Sequence, residues 1–529
     1  MERIEITGIG SELQGVGRLS DGRAVFVPGA IPGETVDIEI NRDKGRFCEA
    51  SLVEVAEPSP DRIAPECPVA GLCGGCQGRH MRYERTLALK RRMVSDALSR
   101  IGGLARPTVL ETLGCADPDR TRNKAEYPIA LQEGRFVIGA YERGGRRIVP
   151  LEDCLLQAPE SVAALREVAA RLNGWPIARH LKYLVTRVNH RGEVMAVLCG
   201  DAPIAPEMRR LSPAMPGVRS LWYCHLNRRF THALDGSCTR ISGAPTLTQR
   251  LFDLDFEISP QSFFQVNRRQ TEALYQKALE AAGVVPGCAL KLLDAYCGAG
   301  TITLSAARYV ASAVGIEIVP PAIENARRNA GINHIENVRF VCGDAAREIP
   351  ALLARGERFD VAILDPPRKG ADAALLQALA RADIPAISYV SCNPATLARD
   401  VKVLSQLGYR FQWAQPMDMF PWTGHVETVC LLSKIRSAPH IDIDLDMTEL
   451  DVTKAETKAT YEEIKAYVLE HTGLKVSCLY IAQVKAKHGI IERDCYNKPK
   501  TEGNRVPQCP PEKEKAIEDA LRHFQMITD

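Results

Sequence analysis

Short runs in which apolar and polar residues alternate mark the first 57 residues: Arg3 to Thr7, Ala24 to Val27, Glu34 to Ile40 and Ala50 to Val55. Gly15, Gly17, Gly22, Gly29 and Gly33 separate them. Alternation at period two gives each strand one buried face and the glycines permit tight turns, which predicts a small β-barrel. Pro58, Pro60 and Pro65 then interrupt regular structure ahead of a Cys-rich knot from Cys67 to Cys76. From about Ser259 to Lys434 continuous apolar runs (Ala289 to Leu293, Ala313 to Ile316, Val338 to Val341, Val361 to Leu364) alternate with helical stretches. Strands buried on both faces and joined by helices make a wrapped parallel sheet. Between these regions, Pro107 to Ile258 mixes short strands and helices with no cofactor signature. Beyond Lys434 an acidic stretch, Ile441 to Glu456, holds six acids and one base and reads as a linker. Tyr461 to His471 and Pro511 to Met526 read as helices, and Val476 to Lys487 as a short strand or helix.

The expected organisation is multidomain α/β. Residues 1–57 form the barrel, 58–106 the Cys-rich segment and a basic helix, and 107–258 a central α+β domain. Residues 259–437 form a Rossmann-like domain, 438–460 the acidic linker, and 461–529 a small α+β extension of unassigned function.

At 529 residues the chain exceeds a single core, and 45% hydrophobic with 25% charged residues is ordinary for globular domains. No apolar run reaches the roughly 18 residues of a bilayer span, and the first residues lack an apolar signal core, so a cytoplasmic location without membrane contact is expected. Seventeen cysteines in such a compartment favour metal or catalytic roles over disulfides. Net charge is only +2, yet Arg79 to Arg106 carries eight basic against two acidic residues, a local footprint for nucleic acid.

The run Leu292 to Thr301 is an apolar strand ending in Gly298-Ala299-Gly300, a turn that lets backbone approach a nucleotide. Glu317 ends the next strand 19 residues after Gly298, placed to accept from ribose hydroxyls, and Asp344 ends a third, placed to take an adenine amine. Thr303 replaces the third glycine of a dinucleotide fingerprint, and no phosphate-binding Lys follows. The pattern points to an adenosine ligand without pyrophosphate, S-adenosylmethionine.

Asp365-Pro366-Pro367 fixes a rigid acidic turn near the transferred methyl, with Arg368 in the place where amine methyltransferases usually carry an aromatic residue. Cys392, after the strand Ile387 to Val390, suits addition to C6 of a pyrimidine, which turns the inert C5 into a nucleophilic carbon. Proton removal from C5 then needs a base, for which Glu427 is preferred, with His425 as a substrate contact. Cys67, Cys73, Cys76 and Cys154 form a four-thiolate set suited to zinc or to an iron–sulfur cube.

Asp294 to Thr301, Asp365 to Gly370, Ser391 to Pro394 and His425 to Thr428 together resemble the RNA uracil-5-methyltransferases of bacterial 23S ribosomal RNA and of transfer RNA. Ser259 to Asn267 is similar to the family segment over the cofactor. The resemblance implies a Rossmann-like S-adenosylmethionine-dependent domain, with Gln265, Tyr296, Thr301, Glu317, Asp344 and Asp365 on the cofactor, Cys392 as nucleophile and Glu427 as base. It implies a TRAM domain, an OB-like RNA-binding barrel, at residues 1–57, and a [4Fe-4S] cluster on Cys67, Cys73, Cys76 and Cys154. Barrel and cluster together favour the ribosomal branch, with a uridine flipped out of 23S rRNA as substrate and no protein partner. Arg120 to Tyr127 resembles an RNA-facing segment in which Arg122 and Lys124 meet phosphates. The weighed alternatives are RNA cytosine-5-methylation and a non-catalytic RNA-binding factor. Residues after Lys434 have no counterpart in minimal members of the family.

Overall fold

The computed structural model describes residues 1–211, 217–435, 461–488, 509–524 and 526–527. The acidic linker, Cys495, Lys498 and Lys500 lie outside them. The chain divides into two compact units, Met1–Arg436 and Ser437–Asp529.

Five strands open the first unit: β1 (Glu2–Ile9), β2 (Gly15–Arg18), β3 (Ala24–Val27), β4 (Thr35–Asp43) and β5 (Phe47–Glu57). They close into a barrel in the order β1-β2-β3-β5-β4. Ile4, Ile6, Val25, Val27, Val36 and Ile38, the alternate positions read from the sequence, fill its core. The unpredicted strand is β2, whose Gly15 and Gly17 read as turn residues. A Cβ at Gly17 would stand 2.7 Å from Glu5 O, so glycine here permits close strand approach rather than a turn.

Helix α1 (Tyr83–Arg100) follows the Cys-rich knot and buries Val94 and Leu98 with Leu397, Val401 and Leu404. Next come β6 (Lys124–Gln132), β7 (Arg135–Tyr141), β8 (Ile148–Pro150), α2 (Pro159–Leu172), β9 (Leu181–Val188), β10 (Val194–Gly200), α3 (Ala205–Leu211), β11 (Val218–Leu226) and β12 (Gly236–Gly243). They make a seven-stranded sheet ordered β12-β11-β10-β9-β6-β7-β8. The hairpin β13 (Leu247–Leu251) and β14 (Leu254–Ile258) precedes α4 (Arg268–Ala281).

A second seven-stranded sheet holds β15 (Lys291–Asp294), β16 (Ser312–Glu317), β17 (Val338–Cys342), β18 (Val361–Leu364), β19 (Ala386–Ser391), β20 (Tyr409–Met417) and β21 (Glu427–Lys434). Its order is β17-β16-β15-β18-β19-β21-β20, parallel except where β21 joins antiparallel to β19 and β20. Helices α5 (Thr301–Ala307), α6 (Pro320–Ile332), α7 (Ala345–Ala354), α8 (Ala373–Arg381) and α9 (Pro394–Gln406) link its strands. Every residue of β18 is buried, as expected of a strand covered on both faces. Strand order reverses between β15 and β18, so a crevice opens at their carboxyl ends.

In the second unit, α10 (Tyr461–Thr472), α11 (Cys478–Lys487) and α12 (Pro511–His523) share a core of Ile464, Val468, Ile481, Val484, Ile517 and Leu521. The extension is helical in its described residues, which resolves the strand-or-helix ambiguity at Val476 to Lys487 in favour of helix. No helix among the described residues is long and apolar enough to cross a membrane.

The basic footprint at Arg79 to Arg106 needs correction. Arg79 pairs with Asp119, Arg85 with Asp61, Lys90 with Asp418, Arg91 with Glu111, and Arg92 and Arg100 with Asp96. Most partners come from distant segments, so a local charge count overstated the free positive surface.

Candidate active site

A crevice of about 1120 Å³ opens at the carboxyl ends of β15, β16, β17, β18 and β19. Gln265, Tyr296, Thr301, Glu317, Asp344, Asp365, Cys392 and Glu427 all line it, as do Arg368, Lys369 and His425. Residues drawn from positions 265 to 427 thus converge on one cavity, which exceeds the size usual for a single small ligand.

One end is built by the β15–α5 turn. Gly298 has φ +53° and Gly300 φ +82°, and a Cβ on Gly300 would lie 2.9 Å from the Phe340 ring. The second glycine is therefore fixed by close packing, while Gly298 meets nothing and faces the crevice. Glu317 accepts from Gly298 N at 3.3 Å and Val319 N at 2.9 Å, which aims its carboxylate at this turn. Asp344 accepts from Ala346 N at 3.0 Å and so caps α7 while lining the crevice. Thr301 Oγ1 lies 3.0 Å from the Tyr275 hydroxyl. Gln265 is held through its backbone, since Asn123 Nδ2 donates to Gln265 O at 3.3 Å and Asn123 N to Val266 O at 2.7 Å.

Sequence reasoning passed over Asp294, Tyr275 and Phe420. Asp294 is fully buried, accepts from Thr303 Oγ1 at 2.7 Å, and burial raises it to about 6. Thr303, noted for replacing a fingerprint glycine, is therefore the partner that secures the strand-end acid. An acid closing an apolar strand four residues before Gly298-Ala299-Gly300 was the available signal.

The other end carries Asp365, Cys392, His425 and Glu427. Asn393 accepts from Ala395 N at 3.0 Å and Pro394 opens α9, so Cys392 sits on a rigid strand-to-helix turn. Burial first, then the carboxylates of Glu427 and Asp365, raise the Cys392 thiol to about 11, and Arg368 opposes them. Burial and Asp365 raise Glu427 to about 8, again opposed by Arg368. Asp365 itself is raised to about 7 by burial and Asp294. His425 Nε2 lies 3.4 Å from Arg368 Nη2, its ring meets Phe420 edge-on at 5.7 Å, and burial with neighbouring cations lowers it to about 4. The crevice thus combines a thiol, a high-pKa carboxyl group and a cation that favours the anionic form of both.

Cys67, Cys73, Cys76 and Cys154 line a separate cavity of about 380 Å³ with Arg79 and Arg122. Gly75 N donates to Cys73 Sγ at 3.3 Å, and burial raises Cys76 to about 11. The expected metal site is not met in closed form: no group of three His, Cys, Asp or Glu side chains among the described residues is set to hold a metal ion. The four thiols share one cavity. Lys124, expected at phosphate, pairs with Glu126 at 2.7 Å, and the Arg122 guanidinium turns toward the cysteines.

The tRNA (Uracil-5-)-methyltransferase family matches residues 246–435, and the TRAM domain matches residues 2–53. An uncharacterized RNA methyltransferase of Halalkalibacterium halodurans is 39% identical over 426 residues, covering 78% of this chain and 92% of the relative. Another, from Caldanaerobacter subterraneus, is 38% identical over 445 residues, covering 82% and 98%. The crystal structure of Pyrococcus abyssi tRNA (uracil-54, C5)-methyltransferase in complex with S-adenosyl-L-homocysteine is similar at TM-score 0.63 and 27% identity, covering 82% of this chain and 99% of that one. The chain belongs to the S-adenosylmethionine-dependent RNA (uracil-5-)-methyltransferase family, with an N-terminal TRAM domain that corresponds to the closed five-stranded barrel.

Proposed function

We propose that the protein methylates C5 of a uridine in 23S rRNA through a covalent Cys392 adduct. The convergence of Cys392, Glu427 and the nucleotide-facing acids on one crevice carries this reading. Bound S-adenosylmethionine supplies an electrophilic methyl. Glu317 takes the ribose hydroxyls, Asp344 the adenine amine, and Gln265, Tyr296, Thr301 and Asp365 flank the remainder. The Cys392 thiolate adds to C6 of the uracil and places negative charge on the C5–C4–O4 system. C5 takes the methyl, S-adenosylhomocysteine departs, and the Glu427 carboxylate removes the C5 proton. The electron pair released at C5 restores the C5–C6 double bond and expels the thiolate. Arg368 favours the anionic forms of both groups, and His425 faces the base. A uracil stacked in helical RNA cannot reach Cys392, so the nucleotide is flipped into the crevice.

In the same reading residues 1–57 and 107–258 grip RNA, residues 259–437 perform the transfer, and 461–529 are an appended unit behind an acidic linker. Cys67, Cys73, Cys76 and Cys154 hold a [4Fe-4S] cluster. Their meeting in one cavity and the thiolate chemistry of the set support this assignment. The ribosomal substrate rests on the combination of barrel and four cysteines, set against the transfer-RNA activity named for the Pyrococcus relative.

The test is to incubate 23S rRNA and transfer RNA from cells lacking this protein with labelled S-adenosylmethionine and to identify the labelled nucleoside. The account expects 5-methyluridine in 23S rRNA. Label in transfer RNA overturns the substrate, 5-methylcytidine overturns the chemistry, and no transfer by cluster-loaded protein supports a non-catalytic RNA-binding factor.

A further inference from the structure

The segment from Ser259 to Asn267 joins β14 to α4, and Gln261 to Val266 all line the crevice. Several of its ties run to the central sheet. Arg187, in β9, donates through Nε and Nη2 to Pro260 O at 3.2 and 3.1 Å, and through Nη2 to Ser262 O. Asn123, which holds the carbonyls of Gln265 and Val266, accepts at its own carbonyl from Val188 N at 2.8 Å. Gln261 Nε2 donates to Leu234 O at 3.1 Å and to Gly236 O at 3.0 Å. The end of β9 thus grips both halves of the segment, one half through Arg187 and the other through Val188 and Asn123.

Arg187 is only 6% exposed, and its hydrogen bonds go to main-chain carbonyls rather than to a carboxylate. Glu126, the acid that favours its charge, is paired with Lys124 at 2.7 Å. Burying a guanidinium without a bonded anion is costly, and what the chain gains is a flat fork that satisfies two carbonyls of one turn at a fixed spacing. That turn is closed around Pro260, with Ser259 Oγ and Ser262 Oγ 2.8 Å apart and Ser262 N donating to Ser259 O at 3.3 Å. Gln265, further along the same segment, is 8% exposed, yet its side-chain amide bonds to nothing among the described residues. A nearly buried amide left without a partner on a cavity wall is placed for a polar atom of a ligand.

We propose that Arg187 is a positioning residue for the cofactor: by fixing the carbonyls of Pro260 and Ser262 it sets how the Gln265 amide meets S-adenosylmethionine. Arg187 does not itself line the crevice, so it acts through the segment it holds. The central sheet thereby supports one wall of the cofactor site, and cofactor affinity depends on a side chain of β9. The inference rests on the reading above in which Gln265 contacts S-adenosylmethionine.

The experiment uses the full-length chain and compares wild type, Arg187→Lys, Arg187→Met, Gln265→Ala and the double variant Arg187→Lys with Gln265→Ala. The readouts are S-adenosylhomocysteine affinity by titration calorimetry, RNA affinity, and amide hydrogen exchange. Arg187→Lys keeps the charge but replaces the fork by a single point donor. It is expected to weaken S-adenosylhomocysteine binding by about 3- to 10-fold. Amides from Gln261 to Gln265 should exchange faster while those of β15 exchange as in wild type, with RNA affinity unchanged. Arg187→Met removes every bond of the fork and should weaken binding by about 10- to 100-fold; the lysine variant decides the matter if Arg187→Met does not fold. In the Gln265→Ala background Arg187→Lys should change the affinity by less than about twofold, because both substitutions act on one contact. Losses that multiply instead overturn the proposal, as does wild-type affinity in Arg187→Lys or unchanged exchange of the segment. A parallel fall in RNA affinity marks general damage to the central sheet and also overturns it. If Gln265→Ala binds S-adenosylhomocysteine as wild type does, the reading of Gln265 fails. If Gln265→Ala weakens binding and Arg187→Lys does not, the Arg187 inference alone fails.

Discussion

Ser391 pairs with Thr428 across the antiparallel junction of β19 and β21, and the residues next to this pair, Cys392 and Glu427, both line the crevice. Both paired residues are buried, so a register slip would turn their side chains to the wrong faces of a covered sheet. Glu427 is held in β21 by its pairing with Met417, Cys392 directly follows the last paired residue of β19, and the charges of the two are coupled, since Glu427 helps to raise the Cys392 thiol.

This coupling sets the pH dependence. Cys392 is raised to about 11 and Glu427 to about 8, and in the proposed mechanism both act as anions. Single-turnover methyl transfer should therefore rise with pH from 6 to 8, and the proton-removal limb should level off above about 8. Arg368→Met, which removes the cation that lowers both groups, should move the rising limb to higher pH. A rapid-quench pH profile checks the direction.

Glu427 also costs stability. Folding raises its pKa from 4.5 to about 8, so the folded state binds more protons than the unfolded state across that window. The penalty is absent below the unfolded value, grows through the window and is complete above about 8. Glu427→Gln should therefore raise Tm at pH 8.5 and change it little near pH 4.5, as calorimetry at the two values would show.

Lys90 and Asp418 form an ion pair in which both side chains are fully buried. Lys90 Nζ also donates to Phe420 O at 3.0 Å, and Tyr83 Oη donates to Asp418 Oδ2 at 2.5 Å. Lys90→Met leaves a buried carboxylate without its cation and should cost about 3–5 kcal/mol in denaturant unfolding. Lys90→Met with Asp418→Asn should recover part of the loss, because the uncompensated charge is gone.

Glu317 contributes charge-assisted hydrogen bonds to ribose hydroxyls in the proposed site, worth about 1.5–3 kcal/mol in total. Glu317→Ala should weaken S-adenosylhomocysteine binding by roughly 10- to 100-fold in titration calorimetry, with RNA affinity unchanged.

Legibility in the sequence followed how local each cause was. Barrel strands, the β15–α5 turn and the strand-end residues Glu317, Asp365 and Cys392 were readable because alternation, Gly-x-Gly and acid-proline turns act over a few positions. Lys90 and Arg79 were misread as free positive charge because Asp418 and Asp119 reach them through tertiary packing. Asp294 was passed over because its role depends on burial beside Thr303, which no residue count reveals. Strand β2 was hidden by the glycines that let it pack. The four cysteines were recognisable by spacing, but their meeting in one cavity with Arg122 required Cys154 to return from beyond three strands, β6, β7 and β8, of the central sheet.

The most direct measurement uses 23S rRNA carrying 5-fluorouridine together with S-adenosylmethionine. Fluorine at C5 cannot leave as a proton, so the methylated adduct should persist, and mass spectrometry of the digested complex should find one methylated fluorouridine attached to Cys392 and none with Cys392→Ala. Attachment at another residue, or a protein that methylates uridine RNA yet forms no adduct with the fluorinated substrate, would contradict the account.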